Sequence, residues 1–210
     1  MLHDDLDLFD NTDSAVLALA MTAFFGQIRL GELFPDAQDI RKFKGKYNPV
    51  LKDLAQPHSA HGSCKLHLPW TKTKKNRGED IILCKQNGAA DPINAMLHHI
   101  HKNRLSENSP IASYIAPNGQ RMAMTAKRFL KRCNEIWSKR GLTRFTGHSF
   151  RIGGTTFFLI KGVNPDVVKA LGRWSSDAFK KYWRNLEILG VLHIELLDTT
   201  EKKKKVRIAV

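Results

Sequence analysis

Cysteine is scarce in this 210-residue chain: Cys64, Cys84 and Cys133 are the full set, and no two stand in a CxxC spacing. An odd, scattered set excludes a disulfide framework and a cysteine zinc site, and reads as reduced intracellular thiols. Long apolar runs are missing too. None approaches the ~20 residues a helix needs to cross a bilayer, and the acidic opening MLHDDLDLFD is the opposite of a secretory n-region. There is no GxxxxGK[ST] loop to cradle a nucleotide, and no Asp/Glu cluster of the kind a two-metal nuclease needs. Internal repeats and low-complexity linkers are also absent, so one domain is the simplest organisation for a chain long enough to bury its own core. Tyrosine is as rare as cysteine, at Tyr47, Tyr114 and Tyr182.

Basic charge is abundant and unevenly spread. The net charge is +14; residues 1–120 carry 14 Lys/Arg against 13 Asp/Glu, whereas residues 121–210 carry 20 against 7. Such a basic half is the electrostatic footprint of a polyanion partner, because neutralised phosphates supply most of the nonspecific affinity for nucleic acid. Charge alone does not separate DNA from other polyanions.

The patterning predicts mostly helix with a small antiparallel sheet, an α+β class. Residues 14–26 (SAVLALAMTAFFG) are nearly all apolar and predict a buried helix, with caps available at Asn11, Thr12 and Asp13. Residues 45–60 read as irregular. Residues 64–72 (CKLHLPWTK) alternate with period two and residues 80–84 (DIILC) follow a basic turn, which predicts a β-hairpin with Pro69 at an edge or irregular position. Asp91-Pro92 opens a helix through about residue 104. A loop with Pro110, Pro117 and Gly119 comes next, then a basic helix capped by Thr125 and ended by Gly141. Residues 148–162 form a helix, residues 164–172 a short one, and Ser175-Ser176-Asp177 cap the last. His98, His99 and His101 stand close in sequence, but neighbouring positions on a helix point apart, so no metal site is expected there.

The most informative stretch is GHSFRIGGTTFFLIKGVNPDVVKALGRWSSDAFKKYWR, residues 147–184. It sets His148 and Arg151 three apart, on one face of a helix, and brings in Trp174 and, eight residues later, Tyr182. The string closely resembles the C-terminal catalytic motif of the tyrosine recombinases (the phage-integrase type), in the form carried by eukaryotic mobile elements. That resemblance implies the catalytic-domain fold of the family over residues 1–200, with a basic tail over 201–210. It also implies a first arginine and an acidic residue three positions on, which match Arg29 and Glu32 in FFGQIRLGELFP, and a lysine on the β-hairpin, WTKTKKNRG. Lys72, read as lying in the strand portion, matches that position best, and Lys74 is the alternative. Lys74, Lys75 and Arg77 near the turn, Lys127, Arg128 and Lys131 on the basic helix, and Arg173 are candidate phosphate contacts.

These residue types suit attack on a phosphodiester. Two guanidinium forks, Arg29 and Arg151, match the nonbridging oxygens and keep their charge. The Tyr182 phenol, with an ordinary pKa near ~10, needs a cationic surround or a base to attack. His148 can take or share that proton or bind a phosphate oxygen, Trp174 offers an indole donor, Lys72 can protonate the departing 5′ oxygen, and Glu32 can orient a cationic neighbour. The resemblance implies that Tyr182 becomes linked to a 3′ phosphate, with the bond energy kept for rejoining, so that no metal, ATP or other cofactor is required.

The partners implied are double-stranded DNA and further copies of the chain on synapsed DNA, with no membrane, and the location implied is the nucleus. Two departures stand out. The span from Trp174 to Tyr182 is one residue shorter than in much of the family, and the core-binding domain that normally precedes the catalytic one is not in this sequence. A truncated remnant or a separately supplied core-binding domain is the expectation. Residues 185–197 are apolar enough either to dock on a neighbour or to pack on their own domain, and the lysine run at 202–205 reads either as an import signal or as a solvated tail. A basic module that binds DNA without cutting it, and a type IB topoisomerase-like enzyme, are the competing readings.

Overall fold

The computed structural model describes residues 1–176, and within them the chain is mixed α+β: seven α-helices and two short antiparallel hairpins. It divides into two compact units after Arg151, inside one helix.

In the first unit the short helix α1 (Leu2–Asp5) leads to α2 (Asn11–Phe25), the centre of the core. The cap of α2 is Asp10, one residue before the predicted trio, and its carboxylate accepts from the Asp13 N–H at 2.8 Å. Ala15, Val16, Ala18, Leu19 and Ala23 are fully buried. A helix apolar on every side is one the fold covers on every side. Helix α4 (Pro92–Lys102) packs along it.

Strands β1 (Cys64–Leu68) and β2 (Glu79–Leu83) pair with Cys64 opposite Leu83 and Leu68 opposite Glu79. Leu66, Leu68, Ile81 and Leu83 are buried, so one face of this hairpin seats on the core. The strand predicted to reach residue 72 ends at Leu68, because Pro69 has no N–H to continue the ladder. Beyond it Thr71 and Lys75 exchange backbone hydrogen bonds and close a tight turn. The loop predicted around Pro117 and Gly119 contains a second hairpin, β3 (Ser113–Ile115) with β4 (Arg121–Ala123), whose three-residue strands are too short to show a period.

Two polar anchors tie the helices together. Arg132 of α5 (Ala126–Lys139) makes a two-pronged contact with the buried Asp13 carboxylate, both N···O distances 2.7 Å. Asn103, just past α4, donates to the Asn11 carbonyl at 2.9 Å and accepts from the Ile115 N–H at 2.8 Å, so one side chain joins α2, α4 and β3. Buried groups that hydrogen-bond on every side fix geometry where apolar packing alone permits slip.

Helix α6 (Gly147–Ile160) carries the chain out of the first unit. In the second, α6 gives way to a turn through Gly162 (φ +76°), and α7 (Pro165–Leu171) begins behind Asn164, whose side chain accepts from the Asp166 N–H at 2.8 Å. Among the described residues of this unit, Phe158, Leu159 and Val168 are the buried apolar side chains. No helix among the described residues is long and apolar enough to cross a membrane.

Candidate functional site

Helix α2 ends in a turn that aims a carbonyl. The Gln27 N–H bonds to the Phe24 carbonyl and the Ile28 N–H to the Ala23 carbonyl, a paired closure that requires a left-handed residue between helix and exit. Glycine usually fills that place; here Gln27 does, fully buried at φ +48°. Two residues on, Arg29 caps α3 (Leu30–Leu33).

Arg29 and Glu32 hold each other. Arg29 Nη1 donates to Glu32 Oε1 at 2.9 Å and the Arg29 backbone N–H to Oε2 at 3.3 Å. Glu32 is 2% exposed and the arginine side chain 31%. This is a buried carboxylate orienting a partly accessible guanidinium, not the surface pair that an i, i+3 spacing ordinarily means.

The first turn of α6 is brought to Arg29 by three devices. Asn134 of α5 brackets the preceding segment, donating to the Phe145 carbonyl at 3.0 Å and accepting from its N–H at 2.8 Å. Thr146 and Ser149 cap the helix reciprocally: the Thr146 N–H donates to Ser149 Oγ and the Ser149 N–H to the Thr146 carbonyl. Phe150 locks the rotation of the turn, its ring 5.1 Å from Phe129 and 5.7 Å from Trp137. Gly147 then permits the close approach, because a Cβ there would stand 2.8 Å from Leu30 Cδ1. Each of Leu30, Phe150 and the segment before α6 is thus fixed by packing, and the cations follow.

Arg151 donates through Nη1 to the Gln27 carbonyl at 2.7 Å and is 3% exposed. His148, one turn away on the same face, is exposed. Arg29, His148 and Arg151 line one cleft of about 250 Å³, floored by residues 30, 31, 146 and 147. Two permanent cations and an imidazole face it, with the Glu32 carboxylate bound to Arg29, so the lining favours an anion of phosphate size. A larger cavity of about 630 Å³ lies beside it and shares Gly31.

The other predicted residues are distributed differently. Lys72 is not in the strand, as predicted, but in the tight turn that follows Pro69; it is exposed and is not one of the residues lining the cleft. Lys74, Lys75 and Arg77 are exposed in the same turn. Lys127, Arg128 and Lys131 are exposed on α5, with the Arg128 guanidinium 5.1 Å from the Tyr114 ring centre. In the second unit, Arg173 adopts φ +55° after α7 and the Trp174 N–H closes onto the Lys169 carbonyl, the same closure that ends α2. Tyr182 lies outside the described residues. His98 and His99 diverge, one hydrogen-bonded to the Leu8 carbonyl and the other to that of Ile111.

Gln27, Leu30 and Asn134 are structural parts of this site that sequence reasoning missed. A left-handed glutamine carries no sequence signal, and an asparagine in a helix is ordinary until its partners are known. Gly147 directly before His148 was the one legible hint. Compared with known protein families and with curated proteins, the chain matches none.

Proposed function

We propose that the chain breaks and rejoins DNA strands through a covalent tyrosyl phosphodiester, as a tyrosine recombinase does. The observation that carries this reading is the gathering of Arg29, His148 and Arg151 around one cleft, although Arg151 and the Gln27 carbonyl it grips are 124 residues apart in sequence. The basic surplus of residues 121–210 supports a DNA partner.

In this mechanism the scissile phosphate sits in the cleft with its nonbridging oxygens on Arg29 and Arg151. Glu32 and the Gln27 carbonyl hold the two guanidinium groups in advance, so little reorganisation accompanies the build-up of charge. Tyr182 Oη attacks phosphorus and the bond to O5′ breaks. The phenol proton passes to His148 or shared solvent, and Lys72 supplies a proton to O5′ as it leaves. The linkage is a phosphodiester exchanged for a phosphodiester, so a 5′ hydroxyl can reverse it. Lys72 stands in the exposed turn, where a bound duplex can meet it. The catalytic reading extends to copies of the chain acting together on paired DNA in the nucleus.

Lys72 is not one of the residues lining the cleft, which favours a second reading, a module that binds DNA without cutting it. Incubation with a nicked suicide duplex followed by peptide mass spectrometry separates the two. Recombinase chemistry leaves a DNA remnant on the peptide containing Tyr182, whereas the binding module leaves none while still retaining the duplex in a salt-sensitive complex. A topoisomerase-like activity appears instead as relaxation of supercoiled plasmid without strand exchange between paired sites.

A further inference from the structure

The cavity of about 630 Å³ beside the cleft is lined by features the proposed chemistry does not use. Its walls carry three aromatic residues, the buried Phe34 and the more accessible Tyr47 and Trp70, and two exposed lysines, Lys42 and Lys44, with Asp36 as the acidic residue of the lining. The volume is in the range of ~300–1,000 Å³ typical of small-molecule sites.

The cavity is also built rather than incidental. Asn48, 7% exposed, donates to the Phe34 carbonyl at 3.1 Å and pins the segment that carries Tyr47. Trp70 is held between the end of β1 and the fully buried Thr71, whose hydroxyl accepts from the Lys74 N–H at 3.0 Å. Lys46 stands 4.9 Å from the Tyr47 ring centre.

Gly31 connects this cavity to the cleft, since it lines both. It is exposed on α3, and a Cβ built on it meets nothing within 4 Å. Packing therefore leaves room for a side chain at this shared position, and glycine leaves the position open.

We propose that the larger cavity holds one unpaired nucleotide of the DNA strand whose phosphate occupies the cleft. The inference rests on the proposed function. A flat π surface beside lysines is the combination that takes a nucleobase and its phosphate without regard to sequence. Trp70 and Tyr47 receive the base, Lys42 and Lys44 the adjoining phosphate, and Asp36 accepts from base N–H groups. The strand passes over Gly31 from one cavity to the other.

The test compares two labelled duplexes bound by the full chain at one fixed salt concentration, identical except for a single unpaired 2-aminopurine nucleotide beside a nick. The unpaired nucleotide is expected to tighten binding about tenfold, near the low end of what stacking one base supplies, and its fluorescence to be quenched on binding. Trp70→Ala is expected to abolish both effects while keeping the affinity for intact duplex, and Trp70→Phe to retain them in part. Gly31→Phe, read only through the ratio of the two affinities, is expected to bring that ratio to about one. Equal affinity for the two duplexes in the unaltered protein overturns the nucleotide site and leaves the DNA reading standing, as does a preference that survives both Trp70→Ala and Gly31→Phe. Failure to bind either duplex removes the DNA reading and the nucleotide site together.

Discussion

Arg151 grips the main-chain carbonyl of Gln27 at 2.7 Å, and Gln27 is a buried non-glycine residue held at φ +48°. A left-handed conformation costs such a residue ~1–2 kcal/mol, and here it turns a helix-end carbonyl toward an arginine far away in sequence. A lysine keeps the charge but not the planar fork that a fixed carbonyl can orient. Arg151→Lys is therefore expected to lower covalent trapping on a nicked duplex by about 10²-fold, the usual loss when one preorganised donor is removed. Equilibrium binding to intact duplex is expected to fall much less. Trapping and binding falling in parallel would reduce Arg151 to a simple phosphate contact.

The contact between Gly147 and Leu30 sets the approach of α6 to α3. Gly147→Ala places a methyl 2.8 Å from Leu30 Cδ1 and 3.0 Å from its Cγ, and is expected to cost about 1–2 kcal/mol despite alanine's better helix propensity. Leu30→Ala alone leaves a cavity in the core and costs ~2–4 kcal/mol. Because the smaller side chain makes room for the added methyl, the double variant is expected to be more stable than the sum of the single effects by about 1 kcal/mol. Urea unfolding of the four proteins measures this coupling, and strict additivity contradicts the contact.

His99 makes the fold sensitive to acid. It is fully buried, its Nε2–H donates to the Ile111 carbonyl at 2.9 Å, and its Nδ1 accepts from the Asn103 amide at 2.9 Å, so the ring is neutral. Burial lowers its pKa to about 4. The unfolded chain then binds this proton more readily than the folded one, and the stabilisation is fully present above the ordinary value near ~6.5. It is lost as pH falls from there toward 4, a difference of roughly 3 kcal/mol at most. The midpoint of urea unfolding is expected to drop between pH 6.5 and pH 4, and to drop less in His99→Gln. An unchanged slope in that variant assigns the acid sensitivity to other groups.

Much of the helical framework was legible because its punctuation is chemical. Asp91-Pro92, Thr125, Gly141 and Asn164-Pro165 start or stop helices for reasons local to those residues, and the structure uses each of them that way. The second hairpin was not legible, since three-residue strands carry no period and Pro117 with Gly119 reads equally as a loop. The end of β1 is half legible: Pro69 reads as an edge or irregular position, yet the period-two alternation runs past it to Lys72, whereas the strand ends at Leu68. In the cleft, the spacing of His148 and Arg151 and the pair Arg29 and Glu32 were visible as residue types. That Glu32 is buried, and that the main-chain carbonyl of Gln27 meets Arg151, depends on long-range packing that no local pattern encodes.

The most direct measurement is covalent trapping on a nicked suicide duplex by the unaltered chain and by Tyr182→Phe. The account predicts a protein–DNA adduct that survives denaturation, joined through a 3′ phosphate, and no adduct from Tyr182→Phe although that variant still binds duplex. An adduct that persists in Tyr182→Phe, or its absence from the unaltered chain under conditions where duplex is bound, contradicts the account.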